Sequence, residues 1–309
     1  MPKLLRSALS GMMSEAEMTS LYSSFDIVGD IAVLKIPPAL ADHSKAIADI
    51  VLQRLHHVKT VLNQKSPVQG QYRLRTLTWL AGMRKTETMS REANCIFKVD
   101  LARAYFSPRL AFERMRVSRL VESDEVVVNM FSGIGSFSIQ IAMHSSPSIV
   151  FSIDINPDAV CLMRENIILN NLERKVRVIE GDARDVIETA LIGKADRVIM
   201  PLPEKALQYL EAAVKALKPS GGTIHYYDFV HCSKRDDPCS EVRQKVEDKL
   251  SQFAKEYSVQ FSRIVRSVGP NWYQVVLDID AIPVSSSRAS ALPSGIQNRN
   301  HTLLSDGTE

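Results

Sequence analysis

Apolar and polar positions change rhythm along the chain, and the changes mark its elements. Residues 4–18, Leu4 to Met18, make a short amphipathic stretch, read as one helix or a frayed terminus. From Phe25 a run of alternating apolar residues predicts a hairpin closed around Gly29-Asp30, and Pro37-Pro38 ends it before a helical pattern over 39–56. Tyr72 to Leu80 and Ala93 to Val99 read as strands, separated by a polar connector from Gly82 to Arg91, which together give a small α+β unit. After Pro108 the apolar residues Leu110, Phe112, Met115, Val117 and Leu120 predict a helix over Arg109 to Val121, with Glu113, Arg116 and Arg119 at spacings typical of surface ion pairs.

The remainder alternates strictly. Strands are predicted at 125–130, 149–153, 176–180 and 196–200, and helices at 136–145, 157–170, 184–191 and 204–217. A strand at 222–228, a helix at 240–256 and two closing strands at 259–267 and 272–279 complete the pattern. This is the rhythm of an open, mostly parallel α/β sheet with helices on both faces, a Rossmann-like sheet closed by an antiparallel β-hairpin. From Pro283 onward Ser, Arg, Asn and Gly dominate without apolar period, so a disordered tail is expected to Glu309. The domain expectation is an N-terminal extension over 1–20, a small α+β RNA-binding domain over 21–107, the large sheet domain over 108–280 and the tail over 281–309.

Composition narrows the class. With 309 residues, 45% hydrophobic and 24% charged, the chain can bury a sizeable core. No apolar run is long enough for a membrane span and no signal-peptide core is evident, so a cytoplasmic protein without a membrane partner is expected. The four cysteines, Cys95, Cys161, Cys232 and Cys239, form no CxxC pair, which argues against a disulfide framework or a metal site. A net charge of +3 says little about partners, but the arginines are unevenly placed. Arg73, Arg75, Arg84, Lys85, Arg91, Lys98 and Arg103 fall in the small unit, interleaved with Tyr72, Trp79, Tyr105 and Phe106. Aromatics that stack on bases beside arginines that hold phosphates suit RNA.

The chemistry centres on the strand, turn and helix start over 126–139. Gly133 and Gly135 allow a tight turn and close approach of a ligand, and Asp154 follows about twenty residues on, where a ribose hydroxyl pair is held in nucleotide-binding sheets. Ligands of such sheets lie beyond the carboxyl ends of the strands, which selects Phe131 to Gly135, Asp154, Asp182 and Pro201-Leu202-Pro203. Ser138 replaces the third glycine of a dinucleotide fingerprint, and the closing hairpin points instead to S-adenosylmethionine as cofactor.

Several stretches resemble the archaeal and eukaryotic tRNA guanine-37 N1-methyltransferase family, a class I methyltransferase group related to the wybutosine-pathway aminocarboxypropyl transferases. They are Tyr-Arg-Leu-Arg (72–75), Lys-Thr-Glu-Thr (85–88), Phe-Lys-Val-Asp (97–100), Tyr-Phe-Ser-Pro-Arg-Leu (105–110), Glu-Arg-Met-Arg (113–116), the glycine turn (129–139), Ile-Asp-Ile-Asn-Pro (153–157), Arg-Val-Ile-Met-Pro-Leu-Pro (197–203) and His-Tyr-Tyr (225–227). The resemblance implies that Phe131, Gly133, Gly135, Asp154, Ile155, Asp182, Ala183 and Pro201 hold S-adenosylmethionine. It also implies that Glu113 is the general base, that Arg73 steadies guanine O6, and that Tyr105, Arg109 and Pro203 hold the flipped nucleotide of the anticodon loop. No metal is implied, and a monomer is expected.

Three departures stand out against that family. Asn129 occupies an aspartate position, Pro201 an asparagine position, and the family's separate N-terminal domain is expected to be reduced here to the first twenty residues. The reading that follows is methyl transfer to N1 of guanosine 37 in tRNA. Its alternatives are aminocarboxypropyl transfer, or bifunctional methylation of guanosine and a wyosine intermediate, in the wybutosine pathway, and a non-catalytic RNA-binding protein that keeps the fold.

Overall fold

The computed structural model describes residues 9, 11, 13–20, 25–233 and 235–284. Residues 4–8, 10 and 12 of the stretch from Leu4 to Met18 lie outside them, as does the tail from 285, and α1 (Glu15–Ser20) is the first helix wholly among the described residues. A four-stranded sheet follows in the order β1 (Asp26–Val28), β2 (Ile31–Leu34), β3 (Thr60–Gln64), β4 (Leu77–Gly82). β1 and β2 form the predicted hairpin, and α2 (Ser44–Arg54) makes the crossover that lets β3 run parallel to β2. Ile47, Ala48 and Val51 of α2 pack with Ala32, Leu34 and Val61 in the core of this unit.

Two sequence expectations need correction here. The strand predicted from Tyr72 begins only at Leu77; residues 71–73 are a turn in which Arg73 takes φ +54°, a left-handed conformation foreign to strands. The polar connector from Gly82 to Arg91 contains β5 (Glu87–Glu92), paired antiparallel with β6 (Cys95–Asp100). Its inward positions are Thr88 and Ser90, so the period-two burial is carried by hydroxyls, which an apolar pattern cannot reveal. Thr88 reaches Asp30 Oδ1 at 2.7 Å, which makes its burial affordable.

The large sheet has seven strands: β7 (Val126–Asn129), β8 (Ile149–Asp154), β9 (Val176–Glu180), β10 (Arg197–Met200), β11 (Gly222–His231), β12 (Ala254–Gly269) and β13 (Trp272–Pro283). Their order is β12-β13-β11-β10-β7-β8-β9, parallel from β11 to β9 and antiparallel through β13 and β12. The predicted α/β class and closing hairpin are both present. The hairpin strands run longer than their apolar patterns, because α8 (Pro238–Leu250) stops six residues before the predicted end at 256, and β13 continues to Pro283. Helices α4 (Ser136–His144), α5 (Pro157–Leu169), α6 (Ala183–Val186, extended by a π turn over Ile187–Leu191) and α7 (Ala206–Ala216) make the crossovers. Val127, Val128, Val150, Ile153, Val198 and Ile199 are buried between these layers, as a parallel sheet covered on both faces requires.

Helix α3 (Ala111–Leu120) breaks the usual rule. Its buried side holds Glu113, Arg114, Val117 and Ser118, while Phe112 is 69% exposed and Leu120 is 42% exposed. The Glu113–Arg116 pair expected on the helix surface is in the interior, where Arg263 and Asp278 from β12 and β13 join it, while Arg119 is exposed.

The β5–β6 hairpin, a two-stranded sheet of its own, is stitched to α5 of the large domain. Asn166 Oδ1 accepts from Lys98 N at 2.6 Å while its Nδ2 donates to Lys98 O and Ile134 O, and Asn170 repeats the pattern on Ile96. Two side-chain amides thus stand in for an absent neighbouring strand. Asn166→Ala leaves these buried backbone groups unsatisfied, and urea unfolding should show a loss of about 2 kcal/mol or more with an unchanged m-value.

Candidate active site

The first four parallel strands deliver their carboxyl ends to one cleft. Phe131 and Gly133 follow β7, Asp154 and Ile155 end β8, Asp182 and Ala183 follow β9, and Pro201 with Leu202 follows β10; all line the cleft. Gly133 (φ +54°) sits in the left-handed region that favours glycine, and a Cβ there would meet only Tyr105 O at 3.6 Å, so the turn faces open space. Gly135 (φ +86°) serves packing instead, since a Cβ would lie 2.9 Å from Met163 Cγ, and it is not part of the lining.

Asp154 anchors this turn. Its Oδ2 accepts from Gly133 N at 2.6 Å and its Oδ1 from Asn156 N at 2.9 Å, leaving one lone pair on each oxygen for a ligand hydroxyl. Burial pushes its carboxyl above the usual range, and the backbone donors only partly offset that. Asp182 caps α6 through Arg184 N at 2.8 Å and accepts from Tyr209 Oη at 2.5 Å. Burial, then that hydrogen bond, pushes the Tyr209 phenol up to about 12, and its ring meets Phe131 edge-on at 5.1 Å. Buried Asn129 braces the loop: its amide donates to Ser138 Oγ at 3.0 Å and accepts from Phe131 N.

The small unit closes the cleft. Gln71, Tyr72 and Arg73 of the turn before β4 line it together with Tyr105 to Ser107. The Arg73 guanidinium lies 4.5 Å from the Tyr105 ring centroid and 3.0 Å from a Glu204 oxygen, yet its Nε is buried with no acceptor. An unfilled guanidinium donor at a cleft wall is set to receive an acceptor from a ligand. Burial disfavours ionised Tyr105, but the positive charges of Arg73 and Arg266 outweigh it and hold the phenol below its usual range.

Not every predicted residue reaches this lining. Arg109 pairs with Asp26 Oδ1 at 2.6 Å on β1, tying the two units together, and Pro203 is buried at the turn into α7 outside the cleft wall. Glu113 is also absent from the lining; it is 1% exposed and receives Arg116, Arg263 and Tyr227. Burial raises its carboxyl, but hydrogen bonds and charge from Arg116, then the bonds from Arg263 and Tyr227, bring it below the usual range. Its neighbour Arg114 does line the cleft, forked onto Glu92 at 2.7 and 2.5 Å. Arg114, Tyr209, Arg263 and Arg266 escaped sequence reasoning, because helical and strand periodicity assigns them to faces without naming their partners.

Behind Glu113 runs a chain of buried ions. Arg116 binds both oxygens of Asp278 (2.5 and 3.0 Å), and Asp278 accepts from His225, its cross-strand partner, at 2.6 Å. His225 Nε2 lies 3.0 Å from Arg197 Nη1, and Arg197 forks onto Glu125. Burial depresses the His225 pKa, so the ring is neutral with its proton on Nδ1 toward Asp278. Burial alone lifts the Asp278 carboxyl, but His225 and Arg116 pull it well below the ordinary carboxylate range.

Residues 88–260 match the model of the TRM5/TYW2 methyltransferase domain, and residues 5–86 match that of the TYW2 N-terminal domain. The chain is 39% identical over 258 residues to the tRNA (guanine(37)-N(1))-methyltransferase Trm5b of Pyrococcus abyssi, covering 84% of this chain and 74% of that protein. It is 38% identical over 266 residues to the tRNA 4-demethylwyosine(37)-methyltransferase Taw21 of Saccharolobus solfataricus, covering 86% of this chain and 96% of that one. The solved complex of aTrm5 with tRNALeu superposes with a TM-score of 0.78 at 32% identity, over 91% of this chain and 78% of that one.

Both Glu113 and Asp278 have carboxyl groups held below their unfolded values, so they contribute stability above the ordinary carboxylate range and lose it as pH falls through their folded values. Asp278→Asn should therefore cost about 3 kcal/mol at neutral pH. Urea titrations should show that deficit narrowing below about pH 4, as the wild-type carboxylate is protonated in the unfolded chain.

Proposed function

We propose, for a chain that belongs to the TRM5/TYW2 methyltransferase family, that it methylates N1 of guanosine 37 in the anticodon loop of tRNA. The observation that carries this reading is the meeting, in one cleft, of the glycine turn and its two carboxylates with an arginine whose Nε lacks an acceptor. The methyl donor is S-adenosylmethionine, and when bound it supplies an activated methyl group on a sulfonium. The cleft suits such a group: Gly133 faces open space, Asp154 keeps free lone pairs for ribose hydroxyls, and Ile155, Ala183 and Pro201 offer apolar walls to an adenine. Among the described residues no cluster of metal-binding side chains is present.

This chain's residues then divide the work. Arg73, held by Tyr105 and Glu204, presents Nε to guanine O6 and stabilises the negative charge that grows there as N1 loses its proton. Glu113, ionised at neutral pH but outside the cleft lining of the free chain, is assigned to accept the N1 proton once tRNA is bound. Tyr105 and Phe106 wall the base pocket and exclude water. Alignment of base and donor provides the remainder of the rate.

A second reading has its own observation. Pro201 in the cleft wall supplies no side-chain amide to a guanine, and the relative covered over 96% of its length acts on 4-demethylwyosine. The same cleft would then take the tricyclic base at position 37. Transcripts carrying guanosine or adenosine 37, and tRNA carrying 4-demethylwyosine, should be incubated with labelled cofactor and the product nucleosides resolved by mass. N1-methylguanosine from the guanosine transcript alone is expected; product from 4-demethylwyosine alone moves the assignment, and an aminocarboxypropyl mass on any substrate excludes both. Glu113→Gln should keep cofactor binding, measured by calorimetry, and lose about two orders of magnitude or more in turnover. Unimpaired turnover by that variant removes the base.

A further inference from the structure

Glu113 carries the proposed proton transfer, yet in the free chain its carboxylate is occupied. Oε1 accepts from Arg116 Nε at 2.9 Å, Arg116 Nη2 at 2.7 Å and Tyr227 Oη at 2.8 Å, which exhausts its lone pairs. Oε2 accepts from Arg263 Nη2 and from no other described group.

These partners differ in how firmly they are held. Arg116 is locked by Asp278, and Asp278 by His225, in the buried chain that ends at Glu125. Tyr227 is 1% exposed in the core. Arg263 has no such anchor: it stands on the outermost strand, its Nε has no acceptor, and its guanidinium rests 4.9 Å from the ring of exposed Phe112.

The strand adds a direction. A bulge between Ile264 and Arg266 sets Arg263 opposite Val276 and Arg266 opposite Gln274, two residues apart on β13, so both arginines share a face. Arg266 reaches Tyr105 Oη at 3.3 Å and Ser107 Oγ at 3.2 Å. Two guanidiniums on the edge strand therefore lead from the cleft wall to the carboxylate.

We propose that Arg263 is a positioning residue that exchanges partners: it holds Oε2 of Glu113 in the free chain and transfers to an anticodon-loop phosphate when tRNA docks, releasing that oxygen to the guanine. The inference rests on the assignment of Glu113 as base. Once Arg263 leaves, Arg116 from α3 and Tyr227 from β11 still face the carboxylate, with Asp278 and His225 behind Arg116, so the group stays ionised while losing one opposing charge. One charge-assisted pair replaces another, so the exchange has a small net cost.

The test is tRNA binding to the full chain with S-adenosylhomocysteine present, over a salt series, for wild type, Arg263→Met, Arg263→Lys, Glu113→Gln and the Glu113→Gln/Arg263→Met double variant. In the Glu113→Gln background Arg263 is free before docking, so its removal should weaken binding about threefold more than in the wild-type background. It should also lower the salt slope by about 0.7 there, and Arg263→Lys should restore the slope. Equal effects of Arg263→Met in both backgrounds, or an unchanged slope, overturn the exchange. Arg263→Gln serves in the same cycle if methionine prevents folding. The two assignments fail separately: a Glu113→Gln variant that still methylates tRNA removes the base and leaves the coupling standing, whereas an additive cycle sinks the exchange whatever Glu113→Gln does to turnover.

Discussion

The structure depends on a buried polar network that runs from Glu113 through Arg116 and Asp278 to neutral His225, and on through Arg197 to Glu125. Buried charges are tolerated only when each meets its complement with good geometry. That condition fixes α3 against β11, β12 and β13, and turns the helix so that its most polar residues face inward. It also explains why Phe112 and Leu120 are left outside. The helix is oriented by electrostatic matching rather than by its apolar stripe.

Two consequences reach the cleft. The orientation of α3 sends Arg114 to the cleft wall, where Glu92 of β5 holds it, so the small hairpin and the large sheet share one ion pair. The Arg109 pair with Asp26 and the Asn166 and Asn170 amides on β6 add further ties between the units. The turn carrying Arg73 is thereby held over the carboxyl ends of β7 to β10. One side of the cleft comes from parallel-strand ends and the other from the small unit, and polar joints between the units hold the two sides together.

Much of this was legible in the chain. The strand and helix rhythm after residue 125, the closing hairpin and the glycine turn with Asp154 all follow from local periodicity and backbone permissiveness, and the structure contains each. Phe131, Gly133, Asp154, Ile155, Asp182, Ala183 and Pro201 lie in the cleft because the carboxyl ends of parallel strands open onto it. Arg73 and Tyr105 also meet there, although periodicity alone placed Arg73 in a strand.

The sequence by itself determined the order of the elements, the class of the sheet and the loops from which a ligand site is built, because these depend on spacing between near neighbours. Only the tertiary structure decided that β5 exists, that Gly135 packs against Met163, that Arg109 joins two units and that Glu113 lies under Arg116 and Arg263. The physical reason is range. Periodicity reports which side of an element is apolar, whereas Arg116 and Glu113 are placed in part by Asp278 and Arg263, more than a hundred residues away, and those partners have no imprint on the local pattern.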